Sequence, residues 1–414
     1  MTGTALPAAL DEPSVRVRPG WTSLLFLANI GLWLAIYAPI QVLLPEQAEL
    51  LDASHKELVF GLVTGTGAVV SLVVNPLVGL ASDRTRSRFG RRHPWTLAGA
   101  LVGAIGLAVL AVAGNVAAMT AGWCLVQAGL NGMLATLTST VPDRVPVAQR
   151  AQIGGLVGIS QMLGTVLGAV LVTVLITAMP GGYLACAAIV VVGAVLFVLR
   201  TPDLPLPRDW PVARWRAALS GLWISPRRQP DFAWAWGCHF MINLGNALGT
   251  FYLLYFLKDA VHYPDPDTGL LIMMALYGVA LAIGGISVGR LSDASGRRKP
   301  FVLIAVAVMA LAALTLTLWQ TWPAALVASP LLGIGFGAYW AVAIAVLTQV
   351  LPAAADRAKD LGVVNIANLL PQVIAPLMAT VILAELGGYP ALFASAGVAT
   401  VAAGALILRV RTVR

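Results

Sequence analysis

The residues of this chain that could do chemistry are amides, one imidazole and aromatic rings, and they recur at helical spacing. A first stripe, at i, i+4, i+7 and i+11, comprises His239, Asn243, Asn246 and Thr250. A second, at i, i+3 and i+7, comprises Asn365, Asn368 and Gln372, and a third group comprises Gln127 and Asn131. A fourth group recurs every four residues and comprises Asn29, Trp33, Tyr37 and Gln41. Residues three or four apart share a helix face, so each group would present a row of hydrogen-bonding side chains to one partner.

Amides and aromatic rings without a fixed charge suit a neutral polar solute, which needs directional hydrogen bonds and an apolar platform. We therefore expect a small-molecule substrate, with Tyr277 and Tyr339 as weaker candidates for contacting it. The residues expected to bind it are Asn29, Trp33, Tyr37, Gln127, Asn131, His239, Asn243, Asn246, Asn365, Asn368 and Gln372. The alternative is that the amides join neighbouring helices by interhelical hydrogen bonds, and this alternative is strongest for Asn75 and Gln161.

Enzymatic chemistry finds no support in the sequence. It shows no Ser-His-Asp arrangement, no metal-ligand cluster and no phosphate-binding loop. The three cysteines, Cys124, Cys186 and Cys238, all lie inside apolar runs. We expect no catalytic residue, no metal site and no cofactor, and we predict that the protein is not an enzyme.

The elements that must position these side chains are membrane-spanning helices. Of the 414 residues, 59% are hydrophobic and 11% are charged, and the mean hydropathy is +0.85; a soluble domain carries about 25% charged residues. Apolar runs of about 20 residues, the length that crosses about 30 Å of hydrocarbon as a helix, lie between the charge clusters. The sequence predicts an all-α membrane protein with twelve transmembrane helices. The predicted spans run about Trp21 to Leu44, Leu58 to Ser82, Pro94 to Ala113, Ala117 to Val141, Ile153 to Ile176, Tyr183 to Leu199, Phe232 to Leu257, Gly269 to Val288, Phe301 to Trp319, Ala324 to Val350, Leu361 to Leu383 and Tyr389 to Leu408.

The charge distribution predicts the orientation, because Lys and Arg are retained on the cytoplasmic side. With both termini cytoplasmic, 24 of the 26 basic residues lie inside and only Lys56 and Lys258 outside. The net charge is then +14 inside and −6 outside, which together give the overall +8. This topology explains the isoelectric point of 9.8, so we expect a multi-pass plasma-membrane protein in a lipid bilayer and no nucleic-acid partner. No Asp, Glu, Lys or Arg remains in the middle of any predicted span.

An internal repeat divides the chain. The string GLASDRTRSRFGRRHP, from Gly79, is matched by GRLSDASGRRKP, from Gly289. Further along, RAQIGG, from Arg150, is matched by RAKDLG, from Arg357. The repeat predicts two pseudo-symmetric six-helix bundles.

The domain boundaries follow from the repeat and from composition. We expect a flexible cytoplasmic tail at 1–20, a first bundle at 21–200, a cytoplasmic linker at 201–231, a second bundle at 232–409 and a cytoplasmic tail at 410–414. In the linker, Trp215, Leu219, Leu222 and Trp223 have helical spacing beside arginines. This segment is either a short helix on an anionic membrane surface or a hydrated loop.

The repeated motif resembles that of a known family. Gly-x-x-x-Asp-Arg followed by Gly-Arg-Arg lies between the second and third spans and recurs between the eighth and ninth. The doubled motif, together with two sets of six predicted helices joined by a long central loop, resembles the major facilitator superfamily of secondary transporters. The strings SDRTRSRFGRRHP and RAKDLGVVNIANLLPQ resemble more narrowly its sugar-cation symporter branch, which includes glycoside, pentoside and sucrose carriers. The resemblance implies that the first, fourth, seventh and tenth spans line a central cavity.

The same resemblance implies a gating role for the repeated motif. We expect Gly79 and Gly289 to let neighbouring helices approach closely. We expect Asp83 and Asp293 to pair with the arginines that follow, which would latch the bundles in one state. The alternative is that the arginines only enforce topology. The expected gating residues are Gly79, Asp83, Arg84, Arg88, Gly90, Arg91, Arg92, Gly289, Asp293, Gly296, Arg297 and Arg298.

The function that these patterns favour is secondary transport of a small neutral polar solute, a sugar or glycoside, by alternating access. Efflux of an amphipathic drug or natural product is the alternative, and a receptor built on a transporter fold is a third reading. His239 is the only titratable side chain within a span apart from tyrosine and cysteine. It either carries a coupling proton or serves as a neutral hydrogen-bonding partner. The absence of a carboxylate from the spans also leaves uncoupled transport, or coupling to another cation, open. We expect a monomer.

Overall fold

The structure is a computed structural model, which describes residues 13–207, 229–350 and 357–413. Within these ranges every regular element is a helix, which confirms the all-α class. The α-helices of the described residues are α1 Pro19–Ala38, α2 Leu44–Leu51, α3 Lys56–Asp83, α4 His93–Val112, α5 Val116–Arg144, α6 Val147–Val170, α7 Met179–Arg200, α8 Pro230–Thr250, α9 Leu253–Asp259, α10 Pro266–Ser295, α11 Lys299–Leu318, α12 Trp322–Gln349, α13 Arg357–Glu385 and α14 Gly388–Arg409.

Some predictions fall beyond these ranges. The predicted linker segment around Trp215 and Trp223, and residues 1–12 of the predicted tail, lie outside the described residues. The side chains of Asp293 and Asn365 likewise lie outside those that the structure describes.

Local sequence signals account for where the helices begin and end. Proline lies in the first turn of α1, α8 and α10, where its missing N–H costs no hydrogen bond. The Asn115 side chain accepts a hydrogen bond of 2.8 Å from the Ala118 N–H and so caps α5. Gly296 ends α10 with φ 64°, a left-handed conformation that glycine adopts without strain.

Eleven stretches of helix in the described residues are long and apolar enough to cross a membrane. The predicted fourth span, α5, is the one that does not meet this measure, although it is 29 residues long. Gln127, Asn131 and several hydroxyl side chains lower its hydropathy. The polar residues that make α5 a candidate site element are thus also what weakens its membrane signal.

The helices of the first and seventh spans are interrupted at similar distances from their starts, after 20 and 21 residues. In the first, α1 ends after 20 residues and a single π-helical turn, Pro39–Leu43, leads into α2. In the seventh, α8 ends after 21 residues and α9 begins at Leu253. Pro39 explains the first interruption because proline cannot donate the backbone hydrogen bond that an α-helix needs there.

The described residues form two compact units. The first contains 13–43 and 66–207, and the second contains 44–65, 229–350 and 357–413. In the first unit α4 packs against α5 and α7, and α1 packs against α6 and α7. In the second unit α11 packs against α12 and α14, and α8 packs against α13 and α14. The two units therefore repeat one packing scheme, in agreement with the sequence repeat.

The first and seventh spans are the most buried of the eleven. Within their most apolar stretches 61% and 72% of the residues are buried, against 33% for α4 and 39% for α7 and α11. Two of the four polar groups of the sequence, those on α1 and α8, thus lie on the spans that are most enclosed by protein.

Candidate functional site

The centre of the second unit holds His239 between two partners from other helices. His239 Nδ1 lies 2.6 Å from the Tyr339 hydroxyl of α12, and Nε2 lies 2.5 Å from Asn368 Oδ1 of α13. The His239 side chain is almost fully buried. An amide oxygen can only accept, so Nε2 carries a proton and donates to Asn368, while a hydroxyl can donate to Nδ1 or accept from it. The imidazole therefore joins α8, α12 and α13.

The other members of the α8 stripe bond locally. Asn243 Nδ2 donates to the His239 carbonyl at 2.8 Å, one turn back on the same helix. Thr250 donates to the Asn246 carbonyl at 2.8 Å, and Asn246 Oδ1 accepts from the Tyr277 hydroxyl at 3.1 Å. The stripe thus combines bonds along the helix with one bond to α10.

On α13, two predicted residues are brought together. Gln372 Nε2 donates to the Asn368 carbonyl at 3.5 Å, the upper limit of a hydrogen bond. Gln372 is half-buried, as is Asn368. The α13 stripe is therefore continuous with the His239 site through Asn368.

Aromatic rings border the His239 imidazole. Trp340 meets it edge to face at a centroid distance of 5.5 Å, and Phe336 packs on Trp340 at 6.1 Å. Trp236 and Phe240, on α8 itself, stack at 5.6 Å. The site offers apolar surfaces beside its hydrogen-bonding groups, the combination found in pockets for small organic molecules.

In the first unit the amides of α5 form a second cluster. Asn131 Nδ2 donates to Gln127 Oε1 at 2.7 Å, and Asn75 Nδ2 on α3 donates to the Asn131 carbonyl at 3.2 Å. All three are buried. Trp123 lies one turn away on the same face and packs against Gly67, where a Cβ atom would lie 2.3 Å from the indole ring. Asn75 thus acts as an interhelical link, as the alternative interpretation of the sequence expects.

The α1 residues divide into two groups. Asn29 Nδ2 donates to the Leu25 carbonyl of its own helix at 2.8 Å. Trp33 and Tyr37 stack at 5.8 Å with an interplanar angle of 26°, and the Tyr37 hydroxyl accepts from Gln161 of α6 at 3.2 Å. Within the described part of the chain, the buried Trp33 indole N–H has no hydrogen-bond partner. Trp33 and Tyr37 therefore form an aromatic surface, while the Asn29 amide group bonds to the backbone of its own helix.

The repeated motif of the first unit is a buried ion-pair cluster. Arg92 Nη2 lies 2.6 Å from Asp83 Oδ1 and its Nε lies 2.7 Å from Asp143 Oδ2, while Arg91 Nη2 lies 2.6 Å from Asp143 Oδ1. Burial disfavours the charged Arg92 guanidinium, but Asp143 and Asp83 outweigh this cost and raise the pKa of Arg92. The predicted pairing of Asp83 with a following arginine is thus present. The sequence did not predict Asp143 as a partner, because it lies 51 residues from Arg92, at the end of α5.

A further acid completes this cluster. Asp203 Oδ2 accepts from the Arg92 and His93 backbone N–H groups, at 2.6 Å and 2.9 Å, where α4 begins. A carboxylate is favourable at this helix end because the first N–H groups lack partners inside the helix. Gly90 has φ 94°, and a Cβ there would collide with Asp203. The start of the predicted linker is thereby fixed to the motif.

Two other predicted motif residues have local roles. Arg84 Nη1 donates to the Leu80 carbonyl at 2.7 Å. Arg88 lies 4.7 Å from the centre of the Phe89 ring. Neither contact joins the buried ion-pair cluster.

The second copy of the motif shares only part of this arrangement. Arg298 Nη1 donates to Ser292 Oγ at 2.7 Å, the counterpart of the contact between Arg92 Nη1 and Ser82 Oγ. Arg297 is exposed, whereas its counterpart Arg91 is buried. The sequence has no acid at the counterpart of Asp143, because that place falls on Gln349 or Val350.

The motif glycines make no close helix approach within the described part of the chain. A Cβ atom at Gly79 would meet nothing within 4 Å, and one at Gly289 would make an ordinary contact of 3.6 Å with Ala341. Close helix approach occurs elsewhere. At Gly129 of α5 a Cβ would lie 2.2 Å from the Gly103 backbone of α4, and at Gly337 of α12 it would lie 2.0 Å from the Leu281 carbonyl of α10.

Curated relatives match parts of the chain. A protein of Cupriavidus pinatubonensis named "Probable 4-methylmuconolactone transporter" is 33% identical over 168 residues, which are 39% of this chain and 37% of that protein. An uncharacterized symporter of Synechocystis sp. is 51% identical over 39 residues, which are 9% of this chain and 7% of that protein. The chain thus matches well under half the length of either relative.

Solved structures share the fold over nearly the whole chain. A nucleoside transporter, NupG, superposes with a TM-score of 0.71 at 13% identity and covers 94% of this chain and 99% of its own. A human organic anion transporter superposes with a TM-score of 0.68 at 19% identity, covering 94% and 100%. The family model described as Major Facilitator Superfamily matches residues 22–275 and 235–414. The chain therefore belongs to the Major Facilitator Superfamily, whose transporter fold its helices and its repeat display.

Proposed function

We propose that this transporter moves a small neutral polar solute, a sugar or glycoside, by alternating access. The observation that carries the proposal is the chemistry of the His239, Tyr339 and Asn368 cluster, which combines an imidazole, a phenol and an amide without a fixed charge. Hydroxyl groups of a sugar both donate and accept, as amides do. The stacked Trp33 and Tyr37 rings offer the apolar platform on the first unit. The resemblance to sugar-cation symporters supports the same substrate class.

Efflux of an amphipathic compound is the second candidate. It is favoured by the aromatic border of the His239 site, where Trp340 and Phe336 add apolar surface beside the polar groups. An exporter would need this apolar surface more than the amides, whereas a sugar carrier would need the amides more than the rings.

The other functional assignments are part of the same proposal. His239 is the coupling residue if transport is driven by protons. The arginine motif gates one face of the protein. The termini and the linker at 201–231 lie in the cytoplasm, the bundles at 21–200 and 232–409 span the plasma membrane, and the protein acts as a monomer. The distribution of lysine and arginine along the sequence supports this orientation.

The test is uptake into proteoliposomes from a panel of labelled hexoses, disaccharides, aryl glycosides, nucleosides and lactones, with and without an imposed pH gradient. We expect sugar or glycoside uptake that falls about tenfold in Asn368→Leu, because one hydrogen bond to a polar group is worth about 1.4 kcal/mol. The matched control is Thr315→Val, since Thr315 is half-buried on α11 and its hydroxyl bonds the Leu311 carbonyl of its own helix.

Two outcomes would contradict the proposal. Absence of flux for every sugar and glycoside, with export of an amphipathic dye, would support the efflux candidate instead. A response to the pH gradient that persists in His239→Ala would remove the coupling role from His239.

A further inference from the structure

The segment that follows the last helix of the second unit is folded back onto that unit. The sequence predicts residues 410–414 as a tail, yet Val410 is fully buried and Val413 is 2% exposed. Arg411 and Thr412, which lie between them, are exposed. The segment 410–413, which we call the strap, therefore lies against the helices with its two valines inward.

Asp231, in the first turn of α8, holds the backbone of the strap. Its Oδ2 atom accepts hydrogen bonds from the Arg411 N–H at 3.1 Å and from the Thr412 N–H at 2.8 Å. These two N–H groups lie beyond the end of α14, so their partners must come from outside the helix. One carboxylate oxygen thus fixes two consecutive residues of the strap to the start of α8.

Lys299, the first residue of α11, holds the strap from a second helix. Its Nζ atom donates to the Val410 carbonyl at 2.6 Å. A lysine is favourable at this place because the carbonyl groups at a helix end lack partners inside the helix. Arg409, the last residue of α14, lies 4.9 Å from the centre of the Trp234 ring of α8. The strap and the helix end before it are thereby joined to the starts of both α8 and α11.

The two strap valines belong to the hydrophobic core that lies beside the His239 site. From Phe232 to Cys238, the residue before His239, the buried face of α8 rises about 9 Å at about 1.5 Å per residue. The core therefore runs from the strap to the helix faces that carry His239 and Tyr339. Its members on α8 are Phe232, Ala235, Cys238 and Ile242, and those on α12 include Tyr339, Val342, Val346 and Val350.

This shared core gives the strap a mechanical link to the site. Protein interiors are close-packed, so a shift at one end of a core displaces the side chains along it. The bond of 2.6 Å between His239 Nδ1 and the Tyr339 hydroxyl joins α8 to α12. Because hydrogen bonds weaken steeply with distance and angle, a small movement of α8 against α12 is enough to break it.

We propose that the strap is a positioning device for the His239 site. Asp231 and Lys299 hold its two valines in the core, and the core holds α8 and α12 at the spacing that the bond between His239 and Tyr339 needs. Asp231 and Lys299 are thus positioning residues that act through the core. Their effect on solute binding rests on the proposed function, whereas their effect on the packing of α8 does not.

The native cysteines provide the readout, because one buried thiol lies in each unit. Cys238 lies in the core that contains the strap valines, and Cys186 is buried in the first unit. In a Cys124→Ser background, the purified protein in lipid nanodiscs is treated with N-ethylmaleimide, and mass spectrometry gives the labelling rate of each thiol. Local opening of the second-unit core raises the rate at Cys238 alone, whereas general unfolding raises both rates.

Asp231→Ala removes the acceptor of both strap N–H groups. We expect it to raise the labelling rate of Cys238 about ten-fold and to leave the rate of Cys186 within about two-fold of the parent. Asp231→Asn should stay within about three-fold of the parent at Cys238, because an amide oxygen still accepts from the backbone. The matched control is Arg411→Ala, since Arg411 is exposed and its bond to Asp231 is made by the backbone N–H.

Val413→Ala provides a second test should Asp231→Ala fail to fold. It removes two methyl groups from a buried side chain, so Cys238 should again label faster than in the parent. Unchanged labelling of Cys238 in both variants, or an equal rise at Cys186, would overturn the strap. A rise in Arg411→Ala as large as that in Asp231→Ala would overturn the role of the Asp231 carboxylate.

Uptake of a labelled aryl glycoside into proteoliposomes tests the link to the solute site. We expect Asp231→Ala to raise the KM about five-fold with a smaller change in the maximal rate, and Asp231→Asn to keep the parent KM. A parent KM in Asp231→Ala, together with faster labelling of Cys238, would overturn the positioning role. If the parent carries no glycoside, the proposed function fails, and the labelling rates still decide whether the strap holds the core.

Discussion

At the scale of single residues, the imidazole of His239 and the described amides of α5 have hydrogen-bond partners, whereas the buried indole N–H groups of Trp33 and Trp123 have none among the described residues. His239 uses both ring nitrogens, and Asn131 bonds within α5. A buried polar group that loses its partner keeps its desolvation cost and gains nothing in return. Substitutions that remove one partner should therefore be more harmful than their size suggests.

Tyr339→Phe tests the His239 cluster. Loss of the hydroxyl leaves His239 Nδ1 without its hydrogen-bond partner, and we expect the free energy of unfolding to fall by about 1–3 kcal/mol. The measurement is thermal unfolding of the purified protein, followed by uptake of whichever solute the panel identifies. Tyr263→Phe is the control, because the Tyr263 ring packs on Trp322 at 4.2 Å, and Trp322 lies at the start of α12, almost five helical turns before Tyr339. An equal loss of stability in the two variants would contradict the assigned bond.

The arginine cluster gives a second prediction at this scale. Asp143 pairs with both Arg91 and Arg92 and its side chain is 18% exposed, whereas Asp83 pairs with Arg92 alone and is 51% exposed. Asp143→Asn should therefore destabilise the protein by about 2 kcal/mol more than Asp83→Asn does. Thermal unfolding of the two variants measures the difference. Equal stability of the two variants would contradict the central place of Asp143 in the cluster.

Asp83→Asn should also slow transport by the reconstituted protein, while equilibrium substrate binding stays nearly intact.

At the scale of helices, close approach is decided by a few glycines that no motif marks. Gly129 lets α5 contact the backbone of α4, and Gly337 lets α12 contact α10. Small residues at such crossings give membrane helices their packing energy, since lipid supplies no hydrophobic drive between helices. The motif glycine Gly79 makes no such contact in this structure.

Gly337→Ala tests this packing. Its new methyl group would lie 2.0 Å from the Leu281 carbonyl, so α10 and α12 must separate. We expect a loss of about 1–3 kcal/mol, as for other overpacked sites. Gly158→Ala on α6 is the matched control, because a Cβ there meets nothing within 4 Å and alanine favours helix. Thermal unfolding separates the two outcomes, and an unchanged melting temperature for Gly337→Ala would show that the helices accommodate the methyl group.

At the scale of the whole molecule, the charge distribution predicts the orientation and the repeat predicts the architecture. The same helix pairs pack in both units, yet the buried acid Asp143 occurs in the first copy only. The two halves are thus alike in packing and unlike in electrostatics. We expect their motifs to contribute unequally to gating.

The orientation itself can be tested on intact cells. His55→Cys should react with a membrane-impermeant maleimide added outside, whereas Thr412→Cys should react only after permeabilisation, because the positive charges keep the termini inside. His55 is exposed and lies in the turn between α2 and α3. Labelling of Thr412→Cys in sealed cells would reverse the proposed topology.

The sequence by itself determined the helices, their number to within one, and the repeat. Hydropathy and the 3.6-residue period are local properties, so they can be recognised in the sequence without knowledge of the fold. The one span with low hydropathy is α5, because it contains Gln127 and Asn131. The pairing of Asp83 with a following arginine could also be predicted from the sequence, because a short turn joins the two residues.

Only the tertiary structure decided which side chains meet. Tyr339 is 100 residues from His239, Asp143 is 51 residues from Arg92, and Asp259 is 203 residues from Lys56. Such contacts depend on how each helix is rotated and which helix it packs against, and these are properties of the assembled bundle. For the same reason the sequence placed the polar stripes on the right helices and still could not distinguish amides that bond to the backbone from those that bond across helices.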